Sequence, residues 1–237
     1  MRLTPVVCAA LAAAAAAAHA APSAELLDLA ARVHYGYYHA DARTIEAALT
    51  ALDRLGDSPE AFYYRDFAAL RRAQLGNADR SALTRLGACA ERDVPSGLDK
   101  RFAAEAWVLV AACAQLAGDD GRREQALSHA RERDDDNPRI ALVEAWALAG
   151  AAGDDAERDA ASAKLTAVVE AFDAWAPSLD DPDWGHAEAL TAMAAAVLQR
   201  GQARTARDLI ERALLLVPDY RAALDLRAEL HGSRNAL

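Results

Sequence analysis

The chain has 237 residues, 53% of them hydrophobic and 6% aromatic, with 26 basic against 36 acidic side chains and a formal charge of −10. That balance excludes the clustered Lys and Arg by which proteins hold nucleic-acid phosphates, and it argues against docking on anionic lipid. The length suits one large domain or an array of small units.

The first twenty residues, MRLTPVVCAALAAAAAAAHA, combine a basic start, a short apolar run and the small-x-small site Ala18-His19-Ala20. They read as an export signal cleaved after Ala20. The run from Val6 to Ala18 is shorter than the roughly 20 apolar residues a bilayer core needs, and Cys8 comes too early to be a lipidated cysteine. The expected location is the periplasm, or secretion beyond it, with no integral membrane segment after cleavage. Ala21 to Leu237 then form a mature chain of 217 residues with 25 basic and 36 acidic side chains, a charge of −11. Its excess of alanine and arginine reads as GC-rich coding.

In chain order, apolar spacing and capping residues predict helices over 23–38, 42–55, 59–75, 79–92, 98–117, 121–134, 138–151, 154–175, 184–200 and 203–216. A last helix near 219–231 is rich in Arg, Asp and Glu, as an end cap facing water must be. No strand pattern competes. Ser58-Pro59, Asn137-Pro138 and Asp181-Pro182 each place a capping residue before a proline suited to a first helical position.

The first helix carries HYGYYHAD, residues 34–41. A helical metal site wants ligands four residues apart, about 40° around the axis, but His34 and His39 are five apart, about 140°. They face different ways, so packing pairs such as His34 with Tyr38 and Tyr35 with His39 are expected instead, and Asp41 is placed to cap the next helix. FYYRDF, residues 62–67, repeats the aromatic density one unit later. Three consecutive aromatics cannot all face one core on a helix turning about 100° per residue. Arg65, Arg71 and Arg72 read as ordinary surface charge.

Cys89 and Cys113 remain after export. If the helix bearing Cys113 runs back from the end of the one bearing Cys89, the second cysteine lies on the order of 18 Å along it. A disulfide needs α-carbons within about 7 Å, so two small buried thiols are expected.

Towards the C-terminus, Ala206, Ile210, Ala213, Leu214 and Val217 form one helical stripe and Leu190, Met193, Ala194 and Val197 another, with Gly201 in the break between them. Together with Pro218 this pattern resembles a tetratricopeptide repeat, and a looser copy runs through Val110, Cys113, Ala114, Gly121, Ala126, Ala130 and Pro138. It departs where the repeat expects large residues and this chain has alanine. Prolines 59, 95, 138, 182 and 218 are spaced by 36, 43, 44 and 36 residues, near the period of helical-hairpin repeats. The segment from Pro138 to Trp184, with Pro182-Asp183-Trp184-Gly185 opening the last repeat, looks like a group of exported bacterial tetratricopeptide proteins of uncharacterised role.

The resemblance implies an all-α fold, a right-handed superhelical array of about five antiparallel helix pairs with a C-terminal cap. It also implies a protein-interaction scaffold whose protein or peptide partner meets the concave groove. The aromatic N-terminal helices place the expected site at Tyr35, Tyr37, Tyr38, Phe62, Tyr63, Tyr64 and Arg65. A structural subunit of an envelope assembly is the alternative, and a cryptic enzyme a more distant one. No GxSxG, HExxH, CxxC, phosphate loop or dinucleotide turn occurs, and His186 and Glu188 form an isolated H-x-E. Neither catalysis nor a metal or cofactor is expected. The acidic loops at 118–120, 134–137, 153–155 and 180–183 lack the ligand pattern of a calcium loop and are expected to cap helices.

Overall fold

A computed structural model describes residues 23–56, 58–96, 98–177 and 182–234; the signal segment and the first two residues of the 180–183 loop lie outside them. It contains α1 (Ala24–Tyr38), α2 (Ala42–Leu52), α3 (Pro59–Gln74), α4 (Arg80–Ala90), α5 (Lys100–Ala117), α6 (Asp120–Arg131), α7 (Pro138–Ala151), α8 (Asp155–Ala174), α9 (His186–Gln199), α10 (Ala203–Leu216) and α11 (Arg221–Arg234). Among the described residues none is in a strand, and no helix is long and apolar enough to cross a membrane.

Local chemistry starts most of these helices. Ser23, Asp41, Ser58, Asp79, Asp99, Asp119, Asn137 and Asp154 each accept a hydrogen bond from a backbone N–H in the first turn of the helix that follows. Such a cap contributes about 1 kcal/mol. Asp119, Asn137 and Asp154 are the acidic-loop residues that do so, and Asp154 with Glu157 closes a reciprocal capping box.

α9 departs from the expectation. It begins at His186, with Gly185 at φ +106° before it, so Pro182 is not at a first helical position. The reason is tertiary: Trp184, 2% exposed, is drawn inward before the helix can start.

Consecutive helices pack as the pairs α1 with α2, α3 with α4, α5 with α6, α7 with α8 and α9 with α10, and α11 lies against α9 and α10. The odd-numbered helices also touch along the array, α1 with α3, α3 with α5, α5 with α7 and α9 with α11, so they form its inner row. Leu49, Leu52, Leu70, Leu109, Leu127, Leu142 and Leu190 are among the fully buried side chains between them. Gly36 permits the closest approach in the first pair, since a Cβ there would lie 2.7 Å from Ile45 Cγ1 and 3.0 Å from the Asp41 carbonyl oxygen.

The row curls until its ends meet. The Tyr37 and Tyr220 hydroxyls are 3.3 Å apart, and His39 lies 3.7 Å from Asp219.

Cys89 and Cys113 form a disulfide with α-carbons 5.9 Å apart, which corrects the expectation of two free thiols. That expectation took the start of α5 to be level with the end of α4. Instead the two helices are joined by the segment 91–99, long enough to slide one along the other, and Cys89 sits beside the Leu109 carbonyl. With a sequence separation of 24 between the cysteines, the chain-entropy model gives about 3 kcal/mol of stabilisation. Reduction, or the double substitution Cys89→Ala/Cys113→Ala, is expected to lower the unfolding free energy by about that amount, read from urea denaturation with and without reductant.

Candidate functional site: a half-filled inner groove

The inner face buries charged side chains among its aromatic ones. α3 turns Tyr63, Phe67 and Arg71 inward at steps of four, and the rings of Tyr63 and Phe67 stack in parallel. Arg71 is fully buried, and its guanidinium lies 4.0 Å from the centre of the Tyr37 ring, 4.8 Å from that of Phe67 and 5.2 Å from that of Trp184. It donates to Glu188 Oε1 from α9, and to Gln74 Oε1 at 2.8 Å. Burial works against this charge, but Glu188 and the surrounding Tyr37, Tyr38 and Tyr220 together more than offset it and Arg71 stays protonated. Glu188 also accepts from the Tyr38 hydroxyl at 3.5 Å and the Gly185 N–H at 2.9 Å.

A second buried pair joins α7 to α5. Arg139 Nη1 donates to Glu105 Oε1 at 2.9 Å, and Asn137 Nδ2 donates to the same oxygen at 2.7 Å. The other faces of that guanidinium hold the chain itself: Nε donates to the Trp184 carbonyl at 2.8 Å, and Nη2 to the Pro182 carbonyl. The Trp184 indole N–H donates to the Tyr63 hydroxyl at 3.0 Å. One half of the inner groove is therefore filled by the Pro182–Gly185 segment.

The other half is open. A groove of about 630 Å³ is lined by Tyr37, Gln74, Gln115, Leu116, Trp146 and Tyr220, among others, with Glu188 at its floor. It lies at the carboxyl ends of α1, α3, α5 and α7, opposite α11. The Gln74 oxygen is taken by Arg71 and the Gln115 oxygen by Arg123 at 2.7 Å, so each carboxamide has its N–H end left to offer a ligand. Beyond Trp146 a cleft of about 760 Å³ continues between α7, α8 and α9, lined by Ala149, Ala161, Ala192, Ala195 and Ala196. Alanines thus stand where larger side chains would close the helices together.

The seven residues expected to form the site separate into several places. Tyr37 lines the open groove. Tyr38 and Tyr63 are buried and bonded within the core, and Tyr64 is half-buried with its ring edge-on to Tyr63. Tyr35 is 54% exposed and stacks on His39 at 3.9 Å. Phe62 and Arg65 line a separate cleft of about 410 Å³ with Asp53, Asp66, Arg85 and Arg92, in which Arg92 and Asp66 are joined by two hydrogen bonds.

Arg71 and Arg72 are buried, which corrects their reading as surface charge. Their four-residue step from Phe67 and Ala68 already placed them on the inward face of α3; arginine's usual exposure argued the other way. Glu188, Glu105 and Arg139 carried no local signal as ion-pair members, because their oppositely charged partners are 117 and 34 residues away in sequence. Among the described residues no three His, Cys, Asp or Glu side chains are grouped to hold a metal. Burial raises the pKa of Tyr37, Tyr38, Tyr63 and Tyr220, keeping all four phenols protonated.

The fold is similar to the crystal structure of a thermophilic TPR protein from Thermus thermophilus, with a TM-score of 0.50 and 20% sequence identity over 87% of this chain and 96% of that one. No family model matches the chain, and no curated protein matches it. The likeness and the eleven described helices establish a tetratricopeptide-like, all-α array of helix pairs.

Two outcomes follow for the buried groups. Arg71→Met leaves Glu188 buried without its cation and is expected to cost about 3–5 kcal/mol, while the double variant Arg71→Met/Glu188→Met loses less than the two single changes together; a denaturation double-mutant cycle reads the coupling. Burial, then the nearby Arg71, depresses His34 to a pKa of about 4 from 6.5. An imidazole kept neutral in the folded chain but free to protonate in the unfolded one makes stability fall as pH drops from about 6.5 towards 4. The loss from this group is expected to be about 2–3 kcal/mol between pH 7 and pH 4. Urea midpoints for the wild type and His34→Gln should diverge in that window alone.

Proposed function

We propose that the chain is an exported, non-catalytic scaffold that binds a protein partner through an extended, uncharged stretch laid in the open half of its inner groove. The observation that carries this reading is the groove's chemistry: apolar walls from Leu116 and Trp146, with the carboxamides of Gln74 and Gln115 presenting N–H groups and no unbalanced charge at the floor. Main-chain carbonyls are the acceptors every peptide supplies, and they suit such donors without demanding a particular sequence. Of the aromatic site expected from sequence, Tyr37 belongs to this surface. Phe62 and Arg65 would contribute only to a partner large enough to reach around to their separate cleft.

Export is supported by two independent features. The N-terminal twenty residues have the organisation of a cleavable signal. The buried disulfide between α4 and α5 suits a compartment that oxidises thiols, such as the periplasm.

The test is crosslinking in the native cell followed by mass spectrometry, comparing the wild type with Gln115→Ala/Leu116→Asp. Leu116 is 45% exposed, so this variant is expected to keep its helicity and melting temperature. A partner whose yield drops at least about tenfold in the variant, from a protein whose mature chain starts at Ala21, is the expected result. Equal yields from both proteins would remove the groove from the reading; a chain that retains Met1 would remove export.

A further inference from the structure

The segment that fills the other half of the groove is held as a bound peptide is held. A connection between helices ordinarily runs over the surface, where water satisfies its backbone. This one enters the interior: Trp184 is 2% exposed and the Arg139 beneath it 1%. The carbonyls of Pro182 and Trp184 are two residues apart, and one guanidinium takes both. That contact reads main chain and is indifferent to the side chain between them.

Specificity comes from the tryptophan. Its indole N–H reaches Tyr63, its ring lies against Phe67 and Trp146 with centroids 6.1 and 6.4 Å away, and Arg71 and Arg139 stand over it at 5.2 and 5.3 Å. A ring between two cations and two aromatic neighbours is a pocket built for an indole. Trp146 and Glu188 line the open half of the groove as well as touching this filled half, so the two are continuous. At its far end the segment turns sharply through Gly185, where a Cβ would lie 2.6 Å from Phe172 Cζ.

We propose that the inner groove is a recognition surface for an extended peptide bearing a tryptophan, that Pro182–Gly185 is its resident ligand, and that a partner of the same chemistry enters from the open half by displacing it. This deepens the scaffold reading and rests on it. A competing peptide must supply two carbonyls two residues apart for Arg139 and an indole N–H for Tyr63, since the groove's buried charges already neutralise one another.

The probe is a synthetic, fluorescently labelled peptide of residues 176–187, added to the wild type and to Trp184→Ala. The variant is expected to bind the peptide at least about tenfold more tightly than the wild type, and a peptide with alanine in place of its tryptophan is expected to bind neither. Hydrogen exchange on the unaltered protein reads the same displacement without any substitution. The Trp184 indole N–H and the Gly185 amide should exchange at least about 100-fold faster than the amides of Val108 and Leu109 in α5, through an opening short of global unfolding. Exchange at the rate of α5 would make the segment a fixed part of the core and overturn the proposal, as would a folded Trp184→Ala protein that ignores the peptide. Should that variant fail to fold, the exchange rates decide alone. None of these readouts involves the cellular partner, so crosslinking at Leu116 can fail while this proposal stands, and the reverse.

Discussion

Two guanidinium groups buried in one small interior are the constraint around which the molecule is arranged. A charge taken out of water is tolerated only beside a counter-charge. Arg71 finds Glu188 across 117 residues of sequence, and Arg139 finds Glu105 across 34. The first pairing can form only if the C-terminal helices fold back onto α3, so the curl of the array and the neutralisation of Arg71 are one requirement. Trp184 lies against both cations, and it carries with it the backbone that Arg139 binds.

This arrangement also explains what the alanine content costs and where it is offset. A repeat whose helix faces carry alanine in place of larger residues buries less apolar area per pair. The shortfall is visible as the cleft between α7, α8 and α9. Long-range polar contacts, the disulfide between α4 and α5, and the aromatic cluster around Trp184 tie together helices that the alanine faces hold only thinly. Such ties act between units, which is where a solenoid with weak interfaces would otherwise fray.

The parts of the fold that were legible in the sequence are those decided within one turn of chain. Ser58, Asp119, Asn137 and Asp154 cap the helices they precede, and the helix limits follow from them. The pairing of His34 with Tyr38 and of Tyr35 with His39 was likewise legible, because a four-residue step fixes it. What could not be read depends on register between distant elements. The nine residues 91–99 permit many alignments of α4 with α5, so distance along a helix said nothing reliable about Cys89 and Cys113. The start of α9 was misplaced for the same reason: Asp181-Pro182 has the local form of a helix start, but the energy gained by burying Trp184 overrides it. Arg71 carried a true signal in its step from Tyr63 and Phe67, masked by the expectation that arginine is exposed.

The candidate site follows the same division. Aromatic density drew the expected site to the first and third helices, yet density alone could not separate rings that pack the core from rings that line a groove. Tyr37 and Tyr38 are neighbours in sequence and about 100° apart on the helix, and this difference sends one to the open groove and the other to Glu188. A binding surface on a curled array is defined by what the curl leaves uncovered, and the curl is set by charges at the far end of the chain. The surface available to a partner is therefore decided jointly by α3 and α9. Any ligand that reaches past Trp146 must contend with the contact that holds those two helices together.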